Sequence, residues 1–489
     1  MKVNKILTIL WGFIGILIFL PACSPPDTRE NPTEEKEIPE GITLEKNTLL
    51  LTIGEKETLN YTITPAGDAN KNVTWLSTNP AVVSVSDDGT VTAVSFTTGG
   101  SSTDSAAATG TAMIAVTTAD GNHSDIITVN TTMASQEDII SLPPLKDQFS
   151  KYFMIGNIYN PEDAVSAAGI NNARLTRHYN ILTHENNMKP LYLSNAARGS
   201  YNTNNLDIAM RMVNAAIADG IKVQGHALLW HSQIPDWQAN LRSSGTASDA
   251  LEYMKDYIAY IVTYFKGKIY AWDVLNEAFS DSISASADWR VSMRNGSSDG
   301  NPWFMRIGAD FVYEGFKAAR LADPAAILYY NDYNLDNANK ARVVANMVRD
   351  INQQWVSDPV YDNRFLIEGI GMQSHHNTGI SVNNIKNSLA LFRELGVKIS
   401  ISELDVLSQS WAEYSGIAVP DNNGKISAAN LYGQYFKLFL ENADIIERVT
   451  FWGVCDEQSW RAKGRPLLFE GYPAAKAKPA YYKNIGALE

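Results

Sequence analysis

A chain of 489 residues exceeds one ordinary domain and leaves room for an α/β barrel of about 250 to 400 residues beside something smaller. Its formal charge of −13 argues against nucleic acid or an anionic membrane surface as a partner, because either calls for a basic face, whereas a neutral polysaccharide does not. Eleven Trp and 22 Tyr are generous, yet most aromatics in so long a chain serve core and rim.

The amino terminus sets Lys2 and Lys5 before an apolar run from Ile6 to Leu20, too short to span a bilayer comfortably and suited to a secretory leader over 1–22. Leu20-Pro21-Ala22-Cys23 resembles a bacterial lipoprotein cleavage box, which implies lipidation of Cys23 and an exported chain anchored at the outer membrane; plain leader cleavage is the alternative. With Cys23 lipidated, Cys455 is the one thiol left and no intramolecular disulfide can form. Cys455 falls in an apolar strand and reads as a small core residue. Residues 23–40 hold six acidic side chains against two basic ones and almost nothing apolar, so they read as a disordered tether.

Over 41–133 the texture turns to Thr, Val and Ser in short alternating runs. Strands are expected at Thr48–Ile53, Glu57–Thr64, Val73–Ser77, Val82–Val85, Thr90–Val94, Thr111–Thr117 and Ile126–Val129, with turns at Gly54, Pro65-Ala66-Gly67, Asp88-Gly89 and Asp120-Gly121. That spacing predicts a small β-sandwich. The run Thr74-Trp75-Leu76-Ser77-Thr78-Asn79-Pro80, with Val83-Ser84-Val85 and Gly89-Thr90-Val91-Thr92-Ala93, resembles the bacterial immunoglobulin-like domain of group 2. Ser95–Gly110 departs from that pattern and reads as a long loop. No titratable cluster is present, so the domain reads as a spacer, with carbohydrate binding as the alternative.

From Leu145 to Glu489 strand-like runs alternate with amphipathic ones. The strands expected are Tyr152–Asn157, Ile181–Thr183, Lys222–Trp230, Ile269–Leu275, Ala326–Asn331, Leu366–Gln373, Val397–Ile401 and Arg448–Cys455. Helices are expected at Leu206–Asp219, Ala250–Phe265, Phe304–Ala322 and Ala338–Gln354. Eight such strands are the number that closes a (β/α)8 TIM barrel, and no Gly-rich phosphate loop supports the rival open sheet.

Two of these strands end on glutamates: Ile269-Tyr-Ala-Trp-Asp-Val-Leu-Asn276-Glu277, and Val397-Lys-Ile-Ser-Ile-Ser-Glu403-Leu-Asp405. A single glutamate at a strand end is commonly a cap or an ion-pair partner. Two, on the fourth and seventh strands of a barrel, face one cleft and supply what glycosidic chemistry requires. Side-chain alternation groups Asp273, Leu275 and Glu277, then Gly371, Gln373 and His375, then Glu403 and Asp405. Glu185, Asn186, Lys189, His226, Trp230, Tyr333, Trp452 and Trp460 gather at the same barrel face, the pattern of a sugar cleft. An exposed Glu185–Lys189 pair is the ordinary alternative for those two residues. The histidines lack His-x3-His spacing, so no metal is expected, and no cofactor is implied.

Seven runs in order resemble glycoside hydrolase family ten, the endo-1,4-β-xylanases, across essentially all of 145–489. They are Asn180-x2-Thr183-x-Glu185-Asn186-x-Met188-Lys189; His226-Ala-Leu-Leu-Trp230-His231-Ser232-Gln233; Trp272-Asp273-Val274-x-Asn276-Glu277; Asn331-Asp332-Tyr333-Asn334; Gly369-x-Gly371-x-Gln373-Ser374-His375; Glu403-Leu404-Asp405; and Trp452-Gly453-Val454 with Trp460 beyond. The resemblance implies a retaining enzyme in which Glu277 is the acid/base and Glu403 the nucleophile, their carboxyls about 5 to 5.5 Å apart. His375 and Asp405 would support Glu403, and Asn276 would hold the sugar 2-hydroxyl. Glu185, Asn186, Lys189, His226, Trp230, Gln233, Gln373, Trp452 and Trp460 would line the glycone side and Tyr333 the aglycone side. It implies xylan or xylo-oligosaccharide as substrate, for a chain expected to act as a monomer. Trp460 would crowd a hydroxymethyl group and so favour pentose. A mixed β-1,4-glucanase/xylanase, or an inactive barrel binding polysaccharide at the surface, are the alternatives.

Overall fold

The computed structural model describes residues 39–65, 72–94, 109–132 and 137–488, apart from positions 196, 284, 285, 287, 417 and 421. The expected leader, Cys23, nearly all of the expected acidic tether and Ser95 to Ala108 of the expected loop lie outside the described residues.

In the amino-terminal domain, Thr48–Thr52, Ser124–Thr132, Thr109–Thr118 and Val73–Ser77 form a four-stranded sheet, in that order. Lys56–Thr58, Thr90–Ala93 and Val83–Val85 form a second sheet, and Gly41–Leu44 pairs with Tyr61–Thr64. Alternation sends Ile114, Val116, Ile127 and Val129 inward, where none is accessible. The expected strand Glu57–Thr64 is in fact two, paired to different partners and separated at buried Leu59, and Gly41–Leu44 is a further strand beyond those expected.

The larger domain closes eight parallel strands: β1 (Met154–Tyr159), β2 (Ile181–His184), β3 (Lys222–Leu229), β4 (Ala271–Asn276), β5 (Ile327–Asp332), β6 (Gly369–Met372), β7 (Lys398–Leu407) and β8 (Ile446–Phe451). Neighbours in sequence pair, and the register Met154↔Arg448 between β1 and β8 seals the cylinder. This is the (β/α)8 TIM barrel expected. The strands form where β-branched and aromatic residues run together, and the helices where apolar residues recur every three or four. Helix Ala338–Val356 buries Ala341, Val344, Val348, Ile351 and Trp355 along one stripe, and its Asn337 cap accepts from the amides of Asn339 and Lys340.

Three details differ from the sequence reading. The helix expected over Phe304–Ala322 is two, Pro302–Ile307 and Asp310–Ala322, because Gly308 takes φ 85° and ends the first. β8 stops at Phe451, so Cys455 lies in the following loop rather than in a strand, buried with its Sγ 3.0 Å from Glu457 Oε2. β7 runs on to Leu407, which sets Glu403 and Asp405 inside the strand rather than at its end; a short strand, His375–Asn377, continues from β6 and pairs His375 with Asp405.

Candidate active site

The carboxyl ends of the strands enclose a cavity of about 740 Å³. Every site residue expected from sequence in this domain lines it except Asp405, which is fully buried directly beneath.

Glu277 follows β4 with φ 51°, a left-handed conformation that turns its carboxylate and the Asn276 amide into the same space. Strict alternation therefore fails here: a register shift between Asp273 and Leu275 leaves Leu275 in the apolar core, while Asp273 binds His226 Nδ1 (2.9 Å) and Gln224 Nε2 (2.8 Å). Trp230 Nε1 donates to Glu277 Oε2 at 2.8 Å, and Gln373 Nε2 to Oε1 at 2.8 Å. Burial pushes the Glu277 pKa up. The charge of Asp332 adds to this ahead of that of Glu403, while the two hydrogen bonds oppose it.

Glu403 meets the opposite environment. Asn331 Nδ2 donates to its Oε1 at 2.8 Å and His375 Nε2 lies 3.1 Å from Oε2. Burial works against its charge, yet the His375 hydrogen bond and the positive potential of His226 and His375 outweigh it, so its pKa falls below the usual range. His375 Nδ1 is in turn 3.0 Å from Asp405 Oδ2. Burial alone would discharge that ring; the two carboxylates prevail and raise it to about 9. Arg461 donates to Asp405 Oδ1 at 2.6 Å and Trp460 Nε1 to Oδ2 at 2.9 Å.

An amide chain ties the two glutamates. Gln373 Nε2 is within 3.3 Å of Asn276 Oδ1, and Asn331 Nδ2 within 2.9 Å of the same oxygen. Asn331 is oriented by Ser402, whose hydroxyl donates to its Oδ1 at 2.6 Å, and by Glu403, which only accepts; Asn276 consequently turns its Oδ1 to the Asn331 and Gln373 donors, which leaves its other amide end 3.2 Å from Trp230 Nε1. Glu277 N also donates to Asn331 O, and Glu403 N to Gln373 O.

On the side of β2 and β3, Lys189 is buried and donates to Asn186 Oδ1 (3.0 Å) and Gln233 Oε1 (2.8 Å), with its ammonium 5.2 Å from the Trp230 ring. Glu185 instead accepts from Asn160 at 2.7 Å, so the exposed Glu185–Lys189 pair is not formed. Burial lowers the Lys189 pKa, and the charges of Glu403, Glu185 and Glu277 resist it. The His226 and Trp452 rings meet edge to face at 5.5 Å. Across the cleft the Tyr333 hydroxyl binds Asp281 and accepts from Arg294 at 2.8 Å.

Asp281, Asn334, Asn377, Ile380, Trp411 and Arg461 also line the cavity, and the sequence reading assigned none of them to it. Asn377 ends the short strand after β6 and Trp411 opens a short helix, while the other four lie in loops; none sits in an element long enough for periodicity to mark it. Arg461, next to Trp460, and Asn334, next to Tyr333, are the two with a positional hint. Among the described residues no group of three or more His, Cys, Asp or Glu could hold a metal ion.

A closed barrel that sets two glutamates, their pKa values shifted in opposite directions, against one aromatic cleft defines a glycosidase of the (β/α)8 class. The comparisons narrow this. Residues 144–487 match the model of glycosyl hydrolase family 10, and the chain belongs to that family; residues 40–129 match the bacterial Ig-like domain of group 2. It is 47% identical to a solved bacterial Ig-like domain-containing GH10 xylanase from termite gut, with a TM-score of 0.72, over 90% of this chain and 98% of that one. It is 33% identical to an endo-1,4-beta-xylanase of Geobacillus stearothermophilus, over 71% of this chain and 98% of the relative. It is 34% identical to Exoglucanase XynX of Acetivibrio thermocellus over 72% of this chain, a match spanning 30% of that larger protein.

Proposed function

We propose that the chain is a retaining endo-1,4-β-xylanase that cleaves internal linkages of xylan by double displacement. The observation that carries this reading is the pair Glu277 and Glu403: Glu403 is buried and Glu277 largely so, the two are linked through Gln373, Asn276 and Asn331, and their pKa values are driven apart, that of Glu277 upward and that of Glu403 downward. Glu277 starts protonated and Glu403 ionised. Glu403 Oε attacks the anomeric carbon while the Glu277 proton passes to the leaving glycosidic oxygen, giving a glycosyl ester and a free chain end. Esterification removes the Glu403 charge, so Glu277 is left as a carboxylate beside one less negative neighbour. It then takes a proton from water, whose oxygen displaces Glu403, and the configuration is restored. Asn276 holds the 2-hydroxyl through its Nδ2, and Lys189, Asn186, Gln233 and Glu185 grip the sugars on the glycone side.

Xylan hydrolysis followed by reducing ends, with NMR of the first-formed anomer, tests this. Retention of the β configuration and loss of turnover in Glu403→Ala are expected; an inverted product, or turnover surviving that substitution, sinks the assignment. A mixed β-1,4-glucanase/xylanase is the second reading, favoured by the similarity to a relative named as an exoglucanase. Rates on matched xylo- and cello-oligosaccharides separate the two.

We further propose that Cys23 is lipidated after removal of 1–22 and holds the enzyme at the bacterial outer membrane, with 23–40 as tether and the Ig-like domain as spacer. A labelled fatty acid should enter the wild type and not Cys23→Ser; equal incorporation in both refutes the anchor.

A further inference from the structure

Trp411 stands in the loop after β7, at the start of the short helix Trp411–Ser415. A reciprocal cap fixes that turn: Ser410 Oγ accepts from Glu413 N at 3.4 Å while Glu413 Oε2 accepts from Ser410 N at 2.8 Å. The indole lines the catalytic cavity yet is 57% exposed, so packing within the protein leaves more than half of its surface to solvent. What supports it is rigid. Tyr414 lies 5.6 Å away between ring centroids, and the Arg461 guanidinium is 5.6 Å from the ring, itself held by Asp405 Oδ1 at 2.6 Å and His376 O at 3.3 Å. The loop is also tied to the one after β6, Thr378 N donating to Gln409 O at 3.4 Å, and that neighbouring loop brings Asn377 and Ile380 to the same wall.

In an eight-stranded barrel the loops after β6 and β7 face those after β2 and β3 across the axis. The latter carry Glu185, Lys189 and Gln233. We propose that Trp411 is a stacking platform for an additional sugar ring of the polysaccharide on the leaving-group side of the cleft, the side of Tyr333 and Asn334. A pyranose offers an apolar C–H face to the indole and hydroxyl edges to the amides of Asn334 and Asn377. The platform rests on the glycosidase reading above and deepens it.

The test compares wild type, Trp411→Ala and Trp411→Phe on xylohexaose, which reaches along the cleft, and on an aryl β-xylobioside, which has no sugar beyond the cleaved bond. The ratio of kcat/KM for the hexaose to that for the xylobioside should fall about three- to tenfold in Trp411→Ala. It should recover largely in Trp411→Phe, and hexaose cleavage should shift toward bonds that place fewer sugars on the leaving-group side. A ratio that does not move, as when both substrates lose rate equally, overturns the platform and leaves the glycosidase reading standing. A wild type inactive on both substrates overturns the two together.

Discussion

Replacing Asp405 by Asn keeps the shape of the side chain and removes one buried negative charge. Asp405 is inaccessible, receives Arg461 at 2.6 Å and Trp460 at 2.9 Å, and lies 3.0 Å from His375 Nδ1. The His375 pKa, raised from 6.5 to about 9, represents about 3 kcal/mol of preference for the charged ring, and Asp405 is the foremost source of that preference. Without it, burial is opposed by Glu403 alone, so the His375 pKa should fall and the ring should shed its charge at lower pH than in the wild type. Glu403 then loses a cation 3.1 Å from Oε2. An opposite charge that close lowers a carboxyl pKa by about 1 to 3, so its removal should raise the Glu403 pKa by at least about one unit. The sign follows from the chemistry: the nucleophile must be ionised, so the acid limb of kcat/KM against pH moves upward. Below the new limb the rate falls about tenfold per pH unit, and the wild-type and variant profiles converge toward neutrality. The assay is kcat/KM on an aryl β-xylobioside from pH 4 to 9. An acid limb that stays in place, with activity lowered by one factor at every pH, would show that Asp405 acts through shape alone and refute the electrostatic account.

Glu277→Gln can accept but not deliver the proton, so xylan turnover should fall about 10²- to 10⁴-fold, while departure of an acidic phenol from an aryl xylobioside suffers far less; equal losses on both substrates contradict an acid role. Gln373→Ala removes a donor that holds the Glu277 pKa down, so the basic limb of the pH–rate profile should move to higher pH, and a move to lower pH contradicts the sign. Gly225→Ala would set a Cβ 2.2 Å from the Trp272 ring between β3 and β4, which should cost about 1 to 3 kcal/mol in denaturant unfolding; unchanged stability contradicts that close approach. Cys455 is buried with its thiol pKa pushed up, so in a Cys23→Ser chain a thiol reagent should react only on unfolding, and fast reaction of the native protein contradicts that burial.

The legible part of this molecule follows from period and ending. β4 was readable because Ile269 to Leu275 is an apolar run cut off by Asn276 and Glu277, and only the carboxyl end of a barrel strand makes use of that combination. What pattern could not supply was direction. Asn276 and Glu277 both reach the cleft because Glu277 bends back at φ 51°, and no count of two along a strand yields that. Asp405 was foreseen beside Glu403, but the donors that make it effective, Arg461 and Trp460, come from the loop after β8, more than fifty positions away. Asp332 belongs to the same class: a buried carboxylate, paired with Lys340 at 2.7 Å, whose charge acts on Glu277 ahead of that of Glu403. The division of labour between the two glutamates therefore does not reside in the glutamates. It resides in neighbours drawn from distant loops, donors around Glu403 and burial with a second anion around Glu277. A Glu pair moved to an exposed site without Asp332, His375, Asp405 and Arg461 would lose both the burial and the charges that drive the two pKa values apart, and would titrate as two ordinary acids, neither able to begin the reaction.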